Sequence, residues 1–332
     1  MSDEPEHRRR AALIYNPIKV DKKRLRKRVE NAAKDAGWRR PLFYETTPED
    51  LGQDATARAL REGVDALLVA GGDGTVRAVS EALIESRVPL TIVPSGTGNL
   101  LARNLGLPLS DQERIIRATF DGRVEPIDIG MAHLTRADGS TEEHGFVVMA
   151  GIGLDAAMIA NTSSHLKKTM GWVAYVDGAA RALNGAEPFR IMYQRSGGRL
   201  HTTKVHSILF ANCGTLPAGI SLVPDASIAD GLLDVALIQP AGRFGWLGVW
   251  RKVWWDNSVV LRRTRSGRRL IERRHNASVR YMQTTLVDAG VDEPHPVQLD
   301  GDEFGEAVRI HCQILPGALL VSLPKRRAPL SP

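Results

Sequence analysis

The stretch GGDGT, Gly71–Thr75, decides the fold of the first third of the chain. It stands between an apolar run, Val64–Ala70, and a helix-like stretch, Val76–Ser86. A strand that ends in glycines and leads into a helix is typical of a parallel α/β sheet, with the loop at the carboxyl edge where ligands bind. The aspartate needs its own explanation, because a loop that only held phosphate would avoid a negative side chain.

The stretches around this loop alternate between strand and helix signals. Strands are expected at 11–15, 41–44, 64–70 and 90–93, and helices at 22–36, 54–62 and 76–86. Strands that alternate with helices predict a parallel sheet with helices on both faces. The sequence therefore predicts a Rossmann-like α/β domain over residues 1–127.

After about Ile127 the strand signals come closer together, and turns that carry Gly, Asn or Asp separate them. Strands are expected at 146–150, 190–193, 205–211, 233–238, 278–282 and 297–299. This spacing predicts a mainly antiparallel β domain.

Composition and charge bound the class of protein. The chain has 332 residues, 43% of them hydrophobic and 25% charged, which is ordinary for a globular protein of two domains. Its two cysteines, Cys213 and Cys312, lie far apart and fit a reducing cytoplasm. No apolar stretch approaches the roughly 18 residues of a membrane span. We therefore expect a cytoplasmic protein that meets the inner face of the membrane only as a peripheral protein.

A second glycine-containing loop, PSGTGN at Pro94–Asn99, follows the next expected strand, and Asn16–Pro17 follows the first. In a parallel sheet these loops emerge at one edge, where backbone N–H groups and helix dipoles bind phosphate. Neither glycine loop matches GxxxxGK[ST] or GxGxxG, which argues against a Walker A loop and a dinucleotide Rossmann site. The loops together predict a nucleotide-phosphate site of another kind.

Asp73 is compatible with such a site in two ways. A Mg²⁺ ion can lie between the carboxylate and the phosphates, or the carboxylate can accept hydrogen bonds from the neighbouring loop. Both interpretations fit phosphoryl transfer, in which positioning and charge neutralisation supply most of the catalysis.

Five motifs together resemble the diacylglycerol kinase catalytic-domain superfamily, which includes bacterial soluble lipid kinases, diacylglycerol kinases and sphingosine kinases. They are GGDGTVRAV, VPSGTGNLLARNLGLP, AGIGLDA (150–156), VPDASIADGLLDV (223–235) and LDGDEFG (299–305), in the order that the family has them. The resemblance covers about residues 11–324. It implies a β-sandwich lipid-substrate domain over 128–314 and a last strand, within 315–325, that returns to the first domain.

The resemblance also implies an ATP- and Mg²⁺-dependent kinase that transfers the γ-phosphate to a hydroxyl of diacylglycerol or a related lipid. The implied metal ligands are Asp230 and the carbonyls of Ser227 and Leu232, and the implied catalytic residues are Asp302, as general base, and Asp73. The expected nucleotide contacts are Asn16, Pro17, Thr47, Gly71, Gly72, Asp73, Gly74, Thr75, Ser95, Gly96, Thr97 and Asn99.

The chain departs from the family pattern at three places. The first loop, NPIKV, lacks the family's glycine and adds Lys19; Leu100 stands where many members have aspartate. The usual glutamate of DGE is Asp302, with Glu303 beside it, so either carboxylate can be the base. These departures leave room for a catalytically silent nucleotide- or lipid-binding regulator. A nicotinamide dinucleotide kinase is the nearest enzyme alternative because it also carries GGDGT, although PSGTGN, ADGLLD and LDGDE argue against it.

Tryptophans at helical spacing and an arginine run occupy the stretch from Trp246 to Arg274. Two interpretations stay open: a helix that packs its aromatic face into the core, and an interfacial helix at an anionic membrane. The expected partners are a nucleotide and a lipid substrate at an anionic membrane surface. A homodimer is left open, and no motif for binding nucleic acid is present.

Changing four arginines of this run to glutamine tests the interfacial interpretation. The variant replaces Arg262, Arg263, Arg268 and Arg269. We expect weaker sedimentation with acidic vesicles, because each basic residue near an anionic surface contributes about 1 kcal/mol. Activity on a short-chain, water-soluble lipid analogue is the control and should survive. Unchanged vesicle binding would make the run an ordinary solvated surface.

Overall fold

The computed structural model describes residues 8–153, 187–214, 223, 226–239 and 279–325. The chain divides into two compact units, residues 1–128 with 317–332 and residues 129–316. The stretch from Trp246 to Arg274, with both of its interpretations, lies outside the described residues. Among the described helices, none has the length and apolar composition needed to cross a membrane.

The first unit alternates strands and helices over its whole length. Its elements are β1 (Ala11–Tyr15), α1 (Lys22–Asp35), β2 (Leu42–Glu45), α2 (Gln53–Arg61), β3 (Ala66–Ala70), α3 (Asp73–Ala82), β4 (Leu90–Ile92), α4 (Leu100–Asn104) and α5 (Gln112–Asp121). The strand β5 (Arg123–Thr135) begins at the end of this unit.

The sheet of the first unit has the order β2-β1-β3-β4, and its pairs are parallel. The end of β14 (Asp302–Leu323) adds a further parallel strand next to β4, where Val321 pairs with Leu90. Every residue of β1 and of β3 is buried, which is expected of parallel strands covered on both faces. The predicted parallel α/β fold is confirmed.

The helix α1 forms where regularly spaced apolar residues are bounded by residues suited to the two helix ends. In α1 the buried residues Leu25, Val29 and Ala33 recur at a spacing of four and form one face. The Asp21 side chain accepts from the N–H of Arg24 at 3.0 Å and caps the helix. The chain then leaves the helix at Gly37, which has a φ of 74°.

The second unit consists of strands in its described part. They are the end of β5, β6 (Thr141–Phe146), β7 (Met149–Gly153), β8 (Phe189–Arg195), β9 (His201–Val205), β10 (Ser207–Ala211), β11 (Leu233–Ile238), β12 (Val279–Thr284), β13 (Leu286–Leu299) and most of β14. The order β12-β11-β10-β7-β13-β14 is antiparallel throughout. The mainly antiparallel second domain is thus confirmed.

One face of this sheet carries the core of the second unit. Alternate residues of the central strands, among them Ile152, Phe210 and Leu299, belong to one cluster of buried apolar side chains. Because successive side chains of a strand point to opposite faces, the residues between them lie on the other face. That second face matters below, because the candidate base Glu303 pairs with Gln298 and so lies on it.

A buried carboxylate fixes the turn between β13 and β14. Asp300 is 4% exposed and accepts three backbone hydrogen bonds, from Val147 at 2.8 Å, Val148 at 2.8 Å and Met149 at 2.9 Å. Its own N–H donates to the carbonyl of Met149 at 2.8 Å. Asp300 has a φ of 52°, a conformation that aspartate tolerates better than most residues. The LDGDE turn is therefore held tightly against the start of β7.

Several bounds differ from those that the sequence predicts: the helix after GGDGT ends at Ala82 and not at Ser86, the expected strand 146–150 is interrupted at 147–148 between β6 and β7, and 297–299 is the end of the longer β13. Two further differences concern where an element begins or how it is divided. The helix after GGDGT begins at Asp73 and not at Val76, so the aspartate is its first residue. The expected strand 205–211 is two strands, because it is interrupted at His206 between β9 and β10. Periodicity missed both changes because neither alters the apolar pattern of the residues that follow.

Asp300→Asn should lower the free energy of unfolding by about 2–4 kcal/mol, as read from urea denaturation. Asparagine tolerates the same backbone conformation, but its NH₂ group replaces one acceptor and would face a buried N–H. The control is Asp292→Asn on β13, whose exposed carboxylate lies 4.0 Å from Arg190. The control should stay within about 0.5 kcal/mol of wild type. An equal effect of the two changes would show that Asp300 does not fix the turn.

Candidate functional site

Four loops follow parallel strands at the carboxyl edge of the first unit's sheet. They are Asn16–Pro17 after β1, Thr47 after β2, Gly71–Thr75 after β3 and Pro94–Asn99 after β4. The N–H of Asn16 donates to the carbonyl of Ala70 at 2.9 Å, so the first loop is tied to the end of β3. The structure thus brings the predicted nucleotide contacts to one edge, while their binding of a nucleotide stays a prediction.

The Asp73 carboxylate joins the two glycine loops. Its Oδ1 accepts from the N–H of Leu100 at 2.7 Å, and its Oδ2 accepts from the N–H of Asn99 at 3.1 Å. These two amides are the first donors of α4, so a side chain of one loop caps the helix that follows the other. Of the two roles considered for Asp73, the structure shows the hydrogen-bonded one; its catalytic role stays a prediction.

Close approach of the loops explains two of the glycines. A Cβ atom at Gly98 would collide with the Asp73 carboxylate, and one at Gly96 would lie 3.0 Å from the Cα of Gly72. Any side chain at these positions would push the loops apart. These glycines therefore serve contact between the loops, in addition to any approach of a phosphate.

Asn99 closes the second loop on itself. It adopts the left-handed conformation, with φ 48° and ψ 47°. Its Oδ1 accepts from the N–H of Gly96 at 3.0 Å, and its Nδ2 donates to the Gly96 carbonyl at 2.8 Å. The amides of Gly96, Asn99 and Leu100 are therefore engaged within the protein. Asp73 therefore occupies two of the helix-terminal amides of the second loop, and phosphate binding by this loop stays a prediction.

The first glycine loop, Gly71–Thr75, leads into a helix whose N-terminus has no side-chain cap. The residue before α3 is Gly72, and no side chain caps this helix. A Cβ atom at Gly72 would meet nothing within 4 Å among the described residues. The first amides of a helix lack partners within the helix and carry a partial positive charge. The start of α3 is thus the helix terminus of this edge that suits a phosphate.

A basic groove lies beside the second glycine loop. It has a volume of about 370 Å³, and its lining includes Lys19, Arg24 and Arg28 together with Ser95 and Gly96. Lys19 comes from the altered first loop, NPIKV, so this loop contributes a cation to the groove. The groove offers positive charge next to both loops.

Gln112 fixes the back of this groove. Its Nε2 donates to the carbonyl of Pro94 at 2.8 Å, and its Oε1 accepts from Nη1 of Arg28 at 3.2 Å. The start of the second glycine loop is thereby held between α1 and α5. No pattern in the sequence pointed to Gln112, because it lies 18 positions from Pro94 and belongs to no motif.

The other predicted nucleotide contacts are disposed as follows. Thr47 is exposed, and its Oγ1 accepts from the N–H of Asp50 at 3.1 Å. Ser95 donates its hydroxyl to the Val93 carbonyl at 3.0 Å, whereas Thr97 is exposed at the tip of the loop. Thr75 is buried in the first turn of α3, so its side chain faces the protein.

A triad of Tyr15, Glu45 and Lys22 lies at the end of β1, directly before the loop Asn16–Pro17. The hydroxyl of Tyr15 donates to Glu45 at 2.8 Å, and Lys22 pairs with the same carboxylate. Burial, and then the bond to Glu45, raise the pKa of Tyr15, so the phenol stays protonated. The Lys22 ammonium, and then the Tyr15 hydroxyl, lower the pKa of Glu45. The end of β1 therefore keeps one charge state around neutral pH.

The predicted metal ligands lie in an exposed turn of the second unit. Asp230 is exposed, and its Oδ1 accepts from the N–H of Leu232 at 3.0 Å; Ser227 is exposed as well. The described residues contain no group of three or more His, Cys, Asp or Glu side chains arranged to hold a metal ion. A carboxylate with backbone carbonyls and water is still a fitting donor set for Mg²⁺, which keeps several waters and needs few carboxylates.

The two candidate bases lie on opposite faces of the second unit's sheet. Asp302 pairs with Leu299 and is half-buried, and Glu303 pairs with Gln298 and is exposed. Leu299 belongs to the apolar core and Gln298 does not, so the register places the two carboxylates on different sides. Their separation onto two faces agrees with the expectation that only one of them serves as base.

Comparison with known families decides the class of protein. The model of the diacylglycerol kinase catalytic domain matches residues 10–132. The model of the YegS C-terminal NAD kinase beta sandwich-like domain matches residues 146–323. The chain belongs to the YegS-like lipid kinases, which combine a diacylglycerol kinase catalytic domain with a YegS-type C-terminal domain. The resemblance of the five motifs and the β-sandwich second domain are thereby confirmed, and the chain is an enzyme of the lipid kinase type.

Relatives span nearly the whole chain of this family member. A diacylglycerol kinase from Bacillus subtilis is 26% identical over 96% of this chain and 98% of its own length. A YegS-like lipid kinase from Pseudomonas aeruginosa is 31% identical over 88% of this chain and 87% of its own. The similarity thus includes both units.

Solved structures share the fold at lower identity. The crystal structure of a diacylglycerol kinase from Bacillus anthracis matches with a TM-score of 0.65 at 19% identity and covers 95% of this chain and 96% of its own. Yeast NADH kinase, solved with NADH, matches with a TM-score of 0.53 at 12% identity and covers 96% of this chain and 84% of its own. These matches show that the two kinase classes have a common fold.

Asp73→Asn should weaken ATP binding about 10-fold and lower phosphoryl transfer by a larger factor, while the protein stays folded. One of the two amides of α4 would face an NH₂ group, so the second glycine loop would loosen. A hydrogen bond to a charged group contributes about 1.5–3 kcal/mol. Calorimetric titration with ATP and a turnover assay check this.

The matched control is Asp54→Asn, which changes an exposed carboxylate in the first turn of α2. It should leave ATP affinity and turnover unchanged. Wild-type ATP affinity and turnover in Asp73→Asn would show that the loops hold their geometry without this carboxylate.

Proposed function

We propose that this protein is an ATP- and Mg²⁺-dependent lipid kinase that transfers the γ-phosphate of ATP to a lipid hydroxyl, with diacylglycerol as the first candidate acceptor. The observation that carries the proposal is the contrast between the two helix termini at one sheet edge. Asp73 closes the start of α4 with two hydrogen bonds, and the start of α3 has no side-chain cap. An edge so arranged has one defined position for a phosphate.

The residues around that position can hold and neutralise a triphosphate. The first amides of α3 donate to phosphate oxygens, and Lys19 and Arg24 in the adjoining groove add positive charge. Gln112 keeps the second loop in place through the Pro94 carbonyl. In this arrangement the protein positions the phosphates and spreads their charge, which is the main requirement for phosphoryl transfer.

Magnesium would be held through Asp230 and the carbonyls of Ser227 and Leu232, whose oxygens suit a hard cation. When bound, the ion supplies charge neutralisation on the phosphates. The turn of Asp230 is already shaped by the hydrogen bond from the Leu232 N–H, so the carboxylate is held in one orientation. Ion binding therefore requires little rearrangement of this turn.

Transfer needs a base next to the acceptor. As the lipid hydroxyl oxygen bonds to the γ-phosphorus, its proton passes to a carboxylate and the bond to the β,γ-bridging oxygen breaks. We assign the base to Asp302, with Glu303 as the alternative. The Asp300 clamp supports either assignment, because it holds the turn that carries both residues.

Two alternatives remain to be separated from the lipid kinase. The NADH kinase likeness concerns the fold alone, but nicotinamide dinucleotide kinases share the GGDGT loop, so NAD belongs among the acceptors tested. A catalytically silent regulator would bind nucleotide and lipid without turnover. We favour a catalyst because the loop geometry is intact despite Leu100: Asp73 binds the Leu100 backbone and needs no side chain there.

A transfer assay with labelled ATP and Mg²⁺ tests the proposal. The acceptors are 1,2-diacylglycerol, a monoacylglycerol, a sphingoid base and ceramide in mixed micelles, with NAD as a soluble acceptor. We expect labelled phospholipid, the highest rate with diacylglycerol, and loss of activity on chelation of Mg²⁺. Label on NAD alone would make the protein a dinucleotide kinase, and ATP binding without any labelled product would make it a regulator.

Adding acidic phospholipid to the micelles tests the proposed membrane partner. We propose that the protein acts at the cytoplasmic face of an anionic membrane, since the chain carries a net charge of +6. A rate that rises with the acidic fraction supports this, and a rate independent of it does not.

Asp302→Asn should lower kcat about 10²–10⁴-fold, because the amide keeps the shape but accepts a proton poorly. ATP affinity should change little, since the nucleotide loops belong to the first unit. Glu303→Gln is the matched control and should keep most of the activity. The reverse result would move the base to Glu303, and two active variants would contradict a carboxylate base in this turn.

A further inference from the structure

Arg136 is a part-buried arginine whose hydrogen bonds reach the strand that carries the candidate bases. Its Nη1 donates to the carbonyl of Glu306 on β14 at 2.7 Å, and its Nη2 donates to the carboxylate of Glu142 on β6 at 2.6 Å. Ion pairs near a protein surface contribute little to stability, so the pair with Glu142 does not by itself explain this arginine. Its second contact, to the backbone of a strand 170 positions away, needs an explanation of its own.

The contact lies where β14 departs from regular strand geometry. Gly305 has a φ of 68°, a conformation that favours glycine. On the facing strand, the pairing register shifts between Pro296 and Gln298. A Cβ atom added to Gly305 would have Nη1 of Arg136 as its nearest neighbour among the described residues, at 3.5 Å. The guanidinium therefore packs directly on the irregular part of β14.

Asp302 lies between two anchored points of the chain. Two residues before it, Asp300 accepts three backbone hydrogen bonds from the start of β7. Four residues after it, Arg136 binds the backbone carbonyl. The segment between these points begins with Gly301 and includes Gly305, both with positive φ, and glycine leaves a backbone its greatest freedom. Without an anchor on each side, Asp302 would share that freedom.

A second residue of the β5–β6 hairpin contacts the face of β14 on which Asp302 lies. The ring of His144 on β6 lies 4.6 Å from the ring of Phe304, measured between centroids. Phe304 packs against the apolar core and follows Asp302 by two positions, so the two side chains share one face of β14. His144 pairs with Ala132, which belongs to the same core. The hairpin thus contacts β14 on the face of the base and at the backbone beyond it.

The hairpin holds Arg136 in one orientation. The N–H of Arg136 donates to the carbonyl of Ser140 at 2.9 Å, and the Arg136 carbonyl accepts from the N–H of Gly139 at 3.1 Å, so its backbone is fixed in the turn. The hydrogen bond from Arg136, and then that from His144, lower the pKa of Glu142. Glu142 therefore stays ionised around neutral pH and keeps the guanidinium in place.

We infer that Arg136 is a positioning residue for Asp302: by holding the backbone of β14, it sets where the Asp302 carboxylate meets the acceptor hydroxyl. This role rests on the proposed lipid kinase activity, with Asp302 as its base, and deepens it. Proton transfer requires the two oxygens to lie within about 2.6–3.2 Å, and a displacement of about 1 Å can cost about 100-fold in rate. Asp302 is one methylene shorter than the glutamate that the resembling family usually has here, so it compensates less for a displaced backbone.

Arg136→Gln should lower kcat about 10-fold, because the start of β14 loosens while the base itself is kept. The KM for ATP should stay within about twofold of wild type, since the nucleotide loops belong to the first unit. Arg136→Lys should give an intermediate kcat, because lysine keeps the charge but lacks the fork that binds both partners. Rates with ATP and 1,2-dioctanoylglycerol in mixed micelles check this.

The matched control is Arg309→Gln, which removes another arginine–carboxylate pair of the same strand. Nε of Arg309 donates to Asp288 at 2.7 Å, and the pair lies on the exposed surface. This change should leave kcat unchanged, because Arg309 does not contact the segment that carries Asp302.

Combining Arg136→Gln with Asp302→Asn separates positioning from general damage. In the Asp302→Asn background, Arg136→Gln should lower kcat by less than about twofold, because no base remains to be positioned. Damage to the whole second unit would instead multiply the losses of the two single variants. Amide hydrogen exchange over residues 302–306, which needs no turnover, should be about 10-fold faster in Arg136→Gln and unchanged in Arg309→Gln.

The outcomes separate the role of Arg136 from the function on which it rests. Wild-type protein that phosphorylates no lipid acceptor would overturn the proposed function, and with it the base that Arg136 positions. An active wild type with unchanged kcat in Arg136→Gln, or an equal loss in Arg309→Gln, would overturn the role of Arg136 alone. Losses that multiply in the double variant, or unchanged exchange at the start of β14, would overturn it as well.

Discussion

The candidate nucleotide site at the sheet edge of the first unit depends on one carboxylate. Asp73 begins α3 and binds the first two amides of α4, so a single side chain sets the distance between the two glycine loops. The glycines at 96 and 98 follow from that contact, because no side chain fits between the loops. The aspartate and the glycines of this region act together. The Asp73 carboxylate is hydrogen-bonded within the protein, and the glycines leave the space that it needs to reach the amides of Asn99 and Leu100.

The same contact distinguishes the two helix termini. The Asp73 carboxylate accepts from the first amides of α4, whereas no side chain caps the start of α3. Beside the second glycine loop, the cations Lys19, Arg24 and Arg28 line a groove that offers positive charge to an anion at this edge. Asp300 plays a comparable part in the second unit, where it holds the turn of the candidate bases through three backbone amides.

The local pattern of apolar residues predicted the strands and helices whose formation depends on that pattern. The strands β1 and β3 and the face of α1 follow from apolar periodicity, and the second domain follows from the spacing of its strand signals. The family could be identified because five motifs keep their order along the chain. The sequence predicts that this helix begins at Val76, whereas it begins three residues earlier, at Asp73. Asp73 begins one helix and caps another, and the residues next to it in sequence carry no sign of that second contact.

Contacts between residues far apart in the chain determine the features that the sequence did not predict. Asp73 finds its partners 26 and 27 positions later, and Asp300 finds its own more than 150 positions earlier. Gln112 likewise gained a role only through its contact with Pro94. In each case the side chain's function is defined by a neighbour that the fold brings to it.

Amide hydrogen exchange of the nucleotide-free protein tests the central claim, that the Asp73 carboxylate ties the two glycine loops together. The account predicts slow exchange at the N–H groups of Asn99 and Leu100 before any ATP is added, and fast exchange at both in Asp73→Asn. Fast exchange of these amides in the wild type, with protection only after ATP is added, would contradict it, because the nucleotide and not the carboxylate would then hold the loops together.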